Sequence, residues 1–204
     1  LLACGVEPGN IIVYSGEETS LFRAGFDLSG APGRVRVMGA DAEGYRKGIS
    51  RIVLDHCSAI INLARLRSDP RLGMFGVLAN YVQSIPYEER ERLLRTPEQL
   101  PSAAALAPLK TKTRLHLMDA LRPGLGPGER PETTTTWVYG GVMVSDDPVA
   151  LDTIGHAVLL EKLREADASL TDLSPPVVYL EPAQNRYRLG VADPQNIELT
   201  RIGP

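Results

Sequence analysis

Short β-branched runs alternate along this chain with stretches in which apolar residues recur at helical spacing. Asn10-Ile11-Ile12-Val13-Tyr14, behind Pro8-Gly9, predicts a strand. Glu17 to Gly25 carries Leu21, Phe22 and Ala24 at helical spacing, with Gly25 as its C-cap. Arg34-Val35-Arg36-Val37-Met38 alternates and predicts a half-exposed strand. A helix bearing Ile49, Ile52 and Val53 on one face follows, then a buried strand, Ala59-Ile60-Ile61-Asn62-Leu63. Residues 65–87 read as irregular at first and helical from about Gly73. The charge run Glu88-Glu89-Arg90-Glu91-Arg92 predicts a solvated helix face laced by i,i+3 and i,i+4 pairs. Arg114 to Asp119 alternates as a strand, and Trp137 to Ser145 forms another, bent at Gly140-Gly141. A helix opens at Asp147-Pro148 and runs to about Ala166. A last helix around residues 177–187, kinked or shortened by Pro182, precedes a closing strand at 196–202.

Strands alternating with helices at this spacing predict a single α/β domain over residues 1–204. Its sheet is expected to be mostly parallel, with helices on both faces. The composition, 43% hydrophobic and 23% charged over 204 residues, is that of a soluble globular protein. Acidic and basic residues are mixed, with a net charge of −3, which argues against a nucleic-acid surface. No apolar run approaches the roughly 18 residues of a membrane span. Leu1-Leu2-Ala3-Cys4-Gly5-Val6 reads like the end of a helix, so an upstream element is expected. Any export signal would belong to it, and both cytoplasmic and exported locations fit. The pattern carries no signature of an oligomeric state.

Cys4 and Cys57 are too few for a four-cysteine iron–sulfur site. They read as two buried free thiols, with a disulfide as the alternative. No context for a haem axial ligand is present, and His56, His116 and His156 share no metal-ligand spacing. His56 reads as a core or interface histidine, or else a ligand. Gly124-Leu125-Gly126-Pro127-Gly128 lacks the helix N-terminus of a phosphate loop and reads as a surface loop. Thr133 to Thr136 reads as a strand edge or loop. No nucleophile elbow occurs, so hydrolase chemistry has no support.

The most specific segment is Ser145-Asp146-Asp147-Pro148-Val149-Ala150-Leu151-Asp152. Asp147 is a natural N-cap before a proline at the first helical position. Asp146 and Asp152 exceed what capping needs. Asp152 and His156, four apart, fit either a structural pair or an oriented imidazole.

In series, these segments resemble the family called domain of unknown function 362. The resemblance lies in Gly5 to Val13 with Ala24-Gly25-Phe26, in Ala59 to Leu63, in Asp146 to Asp152, and in Leu189 to Asp193 before Ile197-Glu198. It spans nearly the whole chain without specifying a reaction. Members commonly carry more upstream sequence, and some are fused to ferredoxin-type modules, for which this chain lacks the cysteines. Members commonly have Lys-Thr-His or Lys-Asp-His where this chain has Arg67-Ser68-Asp69, and Lys-Asn where it has Ala79-Asn80. Arginine keeps the charge at such a position but does not titrate near neutrality.

Two functions follow as expectations. One is an enzyme acting on a small anionic or redox-related metabolite at the carboxyl edge of the sheet; the other is a binding or scaffold domain that kept the fold without the chemistry. Arg65, Arg67, Asp69, Asn80, Asp119 and Asp146 are the candidate ligand-binding residues, expected at the ends of neighbouring parallel strands. The arginines and Asn80 would take an anion, and Asp119 and Asp146 a hydroxyl, amine or divalent cation. The alternative is a structural Arg67–Asp119 ion pair.

Overall fold

A computed structural model describes residues 1–28, 33–126, 135–165, 167–169 and 171–203. The chain clusters into two units, Leu1–Ala59 with Tyr81–Arg92, and Ile60–Asn80 with Leu93–Pro204. The first unit opens with β1 (Ile12–Ser15), α1 (Glu18–Arg23) and β2 (Arg36–Gly39). β2 pairs parallel to β1 with Ser15 opposite Gly39, a βαβ arrangement. α1 stops where Gly25 takes φ 84°, the left-handed conformation that glycine enters without penalty. α2 (Ala40–Glu43) leads to the antiparallel hairpin β3 (Tyr45–Arg46) and β4 (Ile49–Ser50). Lys47 and Gly48 between them both have positive φ, as a two-residue hairpin turn requires. The predicted helix through Ile49, Ile52 and Val53 is therefore a strand followed by one π-helical turn at Ile52–His56. The apolar face is real, since all three side chains are buried.

The second unit begins with β5 (Ile60–Asp69), β6 (Gly73–Phe75) and α3 (Val77–Asn80). After Tyr81–Arg92 returns the chain to the first unit, with most of α4 (Tyr87–Arg95), come α5 (Pro101–Ala104) and α6 (Ala107–Lys112). β7 (Thr113–Leu125), β8 (Thr135–Thr136), β9 (Gly141–Ser145), α7 (Pro148–Arg164) and α8 (Leu180–Asn185) follow. β5 continues to Asp69 because Ala64 and Leu66 extend the buried alternation of Ile60 and Asn62. Gly73 opens a strand rather than a helix. α8 is the shortened form of the last helix; Pro182 sits in its first turn, where its missing N–H is not needed. The closing strand is absent among the described residues, a 3₁₀ turn at Pro194–Asn196 taking its place. Pro127, Gly128, Thr133, Thr134 and Ala166 lie outside the described residues.

The α/β class holds, but the second unit's sheet is mixed: among the described residues only β5–β7 is parallel, and β5–β6, β7–β8 and β7–β9 are antiparallel. Connection length explains this. Only the β5-to-β7 passage contains the long helical crossover a parallel pair needs, whereas β6 follows β5 after a tight turn. Helices cover one face, which presents Asn62, Ala64, Leu66, His116, Met118 and Ala120. Gly155 of α7 packs so closely there that a Cβ would lie 2.7 Å from Met118 Sδ. Along the other face run Ile61, Leu63 and Arg65 of β5, Leu117 and Asp119 of β7, and Val144 and Val142 of β9, paired in register. Leu63 is 64% exposed and Val144 55%, so the expected second helical layer does not cover them.

Candidate functional site

The register of β5 and β7 places Arg65 directly opposite Asp119. Arg65 Nη2 donates to the Arg122 carbonyl at 3.0 Å, and Asp119 Oδ1 accepts from the Leu121 N–H at 2.9 Å. Arg67 pairs with Asp69 at 3.1 Å, not with Asp119, and lies 4.5 Å over the Phe75 ring. Asp69 is buried and holds the turn into β6 by accepting from the Arg71 and Leu72 N–H groups. Asn80 donates to Asn62 Oδ1 at 2.7 Å and to the Leu63 carbonyl at 3.0 Å, fastening α3 to β5. Because β9 runs antiparallel to β7, with Ser145 opposite His116, exposed Asp146 lies toward the amino end of β7. Asp119 faces Val142, four residues before Asp146, which separates the two aspartates by about 13 Å along the strand. The structure brings Arg65 and Asp119 together but sets Asn80 and Asp146 elsewhere. Among the described residues no group of three or more His, Cys, Asp or Glu is placed to hold a metal ion.

The carboxylates of the 145–152 segment act as fasteners. Asp147 Oδ1 accepts from Val149 and Ala150 at the start of α7, and its Oδ2 accepts from Val191 at 2.9 Å. Asp152 is fully buried and accepts from Val77 and Leu78 at 2.7 and 3.0 Å, the first N–H groups of α3. Burial pushes its pKa up to about 7 against the pull of those two donors. His156 pairs with Asp172 at 2.9 Å, so Asp152 and His156 do not form the pair their spacing suggested. His116 is buried beside Asn62, and burial lowers its pKa to about 4 despite Asp147 and Asp146 nearby. His56 faces Glu43 at 3.5 Å. Both cysteines are free thiols, Cys4 exposed and Cys57 half-buried, which corrects the expectation that both lie in the core.

A second carboxyl edge, that of β1 and β2, opens onto a crevice of about 370 Å³. Gly16 and Glu17 reach it from just past the end of β1, and Asp41 from α2, directly after β2. Asp41 Oδ1 accepts from the Glu18 and Ala42 N–H groups, while its own N–H donates to the Gly16 carbonyl. Arg90 of α4 is only 7% exposed, although its charge run reads as a solvated face. Its Nη1 donates to Glu17 Oε1 at 3.1 Å and its Nε to the Val82 carbonyl at 3.2 Å. Gly16 lies so close beneath it that a Cβ would sit 2.2 Å from Arg90 Nη2. Tyr45 shares a side-chain hydrogen bond with Arg90, and burial holds its phenol above its usual range while Arg90 opposes the shift. Tyr87 and Glu88 complete the mouth, Tyr87 60% exposed. The strand-ending Ser15-Gly16-Glu17 and Gly39-Ala40-Asp41 were the sequence signal for this edge. Arg90 carried none, since Glu17, its ion-pair partner, lies 73 residues away.

No curated protein and no solved structure matches this chain. Residues 22–157 match the family described as Domain of unknown function (DUF362). That span runs from α1 through β5 and β7 to the carboxylates that fasten α7, and it covers more than half of the chain, which therefore belongs to the DUF362 family.

Proposed function

We propose that this chain is a small-molecule-binding domain whose ligand occupies the crevice at the carboxyl ends of β1 and β2. The observation that carries the reading is the cavity itself, about 370 Å³, at the place where α/β sheets commonly receive ligands. Binding fits better than catalysis at the family's Lys and His positions. Arg67 and Asp69 are joined to each other there, and Asn80 fastens α3 to β5. Of the residues expected from the sequence, Arg65 and Asp119 are kept as a secondary contact point on the open sheet face. The chain crosses between the two units three times, which supports treating residues 1–204 as one α/β domain.

The test is a library of small metabolites screened by two-dimensional amide NMR on the whole chain. Perturbations should cluster at Gly16, Asp41, Tyr45 and Tyr87. Perturbations confined to Arg65–Asp69 and Asp119, or no binder at millimolar concentration, overturn the reading.

A further inference from the structure

The chemistry of the crevice restricts what can enter it. An anion would need free donors, and Arg90 is the one cation among the lining residues. Its Nε and Nη1 are committed to Val82 and Glu17, it shares a bond with Tyr45, and its Nη2 is pressed against Gly16. The two-pronged approach by which a guanidinium takes a carboxylate or phosphate is therefore closed. Glu17 offsets the charge of Arg90, which leaves Asp41 and Glu88 as uncompensated anions on the wall. Asp41 uses Oδ1 for both of its backbone bonds, so Oδ2 is the oxygen left for a ligand. Beside these carboxylates stand two phenol rings, Tyr45 and Tyr87, the kind of surface on which a cation is attracted to the ring face.

A metal ion is a poor fit, since among the described residues no group of three or more metal-ligating side chains converges. A cavity of this volume lies at the small end of ligand sites and suits a compact molecule rather than a polymer. We infer that the crevice takes a small organic cation, a primary amine or guanidine, with its charge against Asp41 and Glu88 and its carbon body against Tyr45 and Tyr87. This rests on the crevice being the binding site.

Titration calorimetry on the full chain tests it with agmatine and putrescine as cationic probes, citrate as anionic and glucose as neutral. Glu88→Gln and Tyr87→Ala are the variants, both at exposed positions where the fold is not at stake. Agmatine or putrescine should bind, weaken with added salt, and lose about threefold or more in affinity in each variant. If citrate or glucose binds in a Tyr87-dependent manner and the amines do not, the ligand class is wrong while the crevice stands. Amine binding indifferent to both substitutions overturns the assignment of amines to this site. If none of the four probes binds and the metabolite screen is also silent, both readings fall.

Discussion

Asp152 and His116, both buried in the second unit, push stability in opposite directions as pH changes. The Asp152 carboxyl ionises near 3.8 when unfolded and near 7 when folded. Between those values the folded state holds the extra proton, so stability falls as pH rises and is level above 7. His116 titrates near 6.5 unfolded and near 4 folded, so between those values the unfolded state holds the extra proton and stability rises with pH. Over the shared interval the two nearly cancel. We predict that Asp152→Asn leaves a urea midpoint that climbs, relative to wild type, from pH 4 to 6.5. His116→Gln should leave one that declines from pH 4 to 7, each by on the order of 1–3 kcal/mol. Variants whose midpoints track wild type at every pH would show that neither group carries a shifted proton. The capping pattern Asp147-Pro148 was legible in sequence because an N-cap is a local device. The partners of Asp152 were not, because Val77 and Leu78 precede it by more than 70 positions.

Among the elements, α7 depends most on one side chain. Asp147 caps the helix and also binds the Val191 N–H, joining its start to the segment after α8. An ordinary cap contributes about 1 kcal/mol, and the added charge-assisted bond raises the expected cost of Asp147→Ala to roughly 2–3 kcal/mol. Exchange of the Val191 amide should accelerate in the same variant. A loss under about 0.5 kcal/mol, within the range of ordinary surface changes, would show that solvent replaces the carboxylate without penalty. Helix starts and strand cores were readable from capping residues and alternation. The second half of β5 was not, because Arg65, Arg67 and Asp69 mask the alternation of Ala64 and Leu66, and the pairing with β6 and β7 is not visible locally. The mixed pairing follows from connection lengths, which a reading of strands alternating with helices does not weigh.

For the molecule as a whole, the second unit's sheet has one helix-covered face and one on which Leu63, Val142 and Val144 meet solvent. Exposed apolar rows of this kind contribute little to folding, since they are not removed from water. Leu63→Lys should therefore shift stability by no more than about 0.5 kcal/mol and reduce the fluorescence of an added hydrophobic dye. Leu66→Ala, on the covered face with 0% exposure, should cost roughly 2–5 kcal/mol. Equal costs at the two positions would mean that both faces are packed. Alternation in β5 and β7 marked the two faces but not which of them helices cover, because Ile61, Leu63 and Leu117 are as apolar as the core.

The path of the chain through its two units has a consequence for synthesis. Gly16 and Glu17 precede the second unit's first strand, yet their partners Gln83 and Arg90 emerge only after the whole of β5, β6 and α3. A nascent chain must carry residues 1–59 past the ribosome exit with the crevice still lacking its arginine wall. The first unit thus closes late although β1 and β2 are made before β5, β6 and α3, and any chaperone that shields this protein during translation meets it with β1 and β2 still waiting for α4.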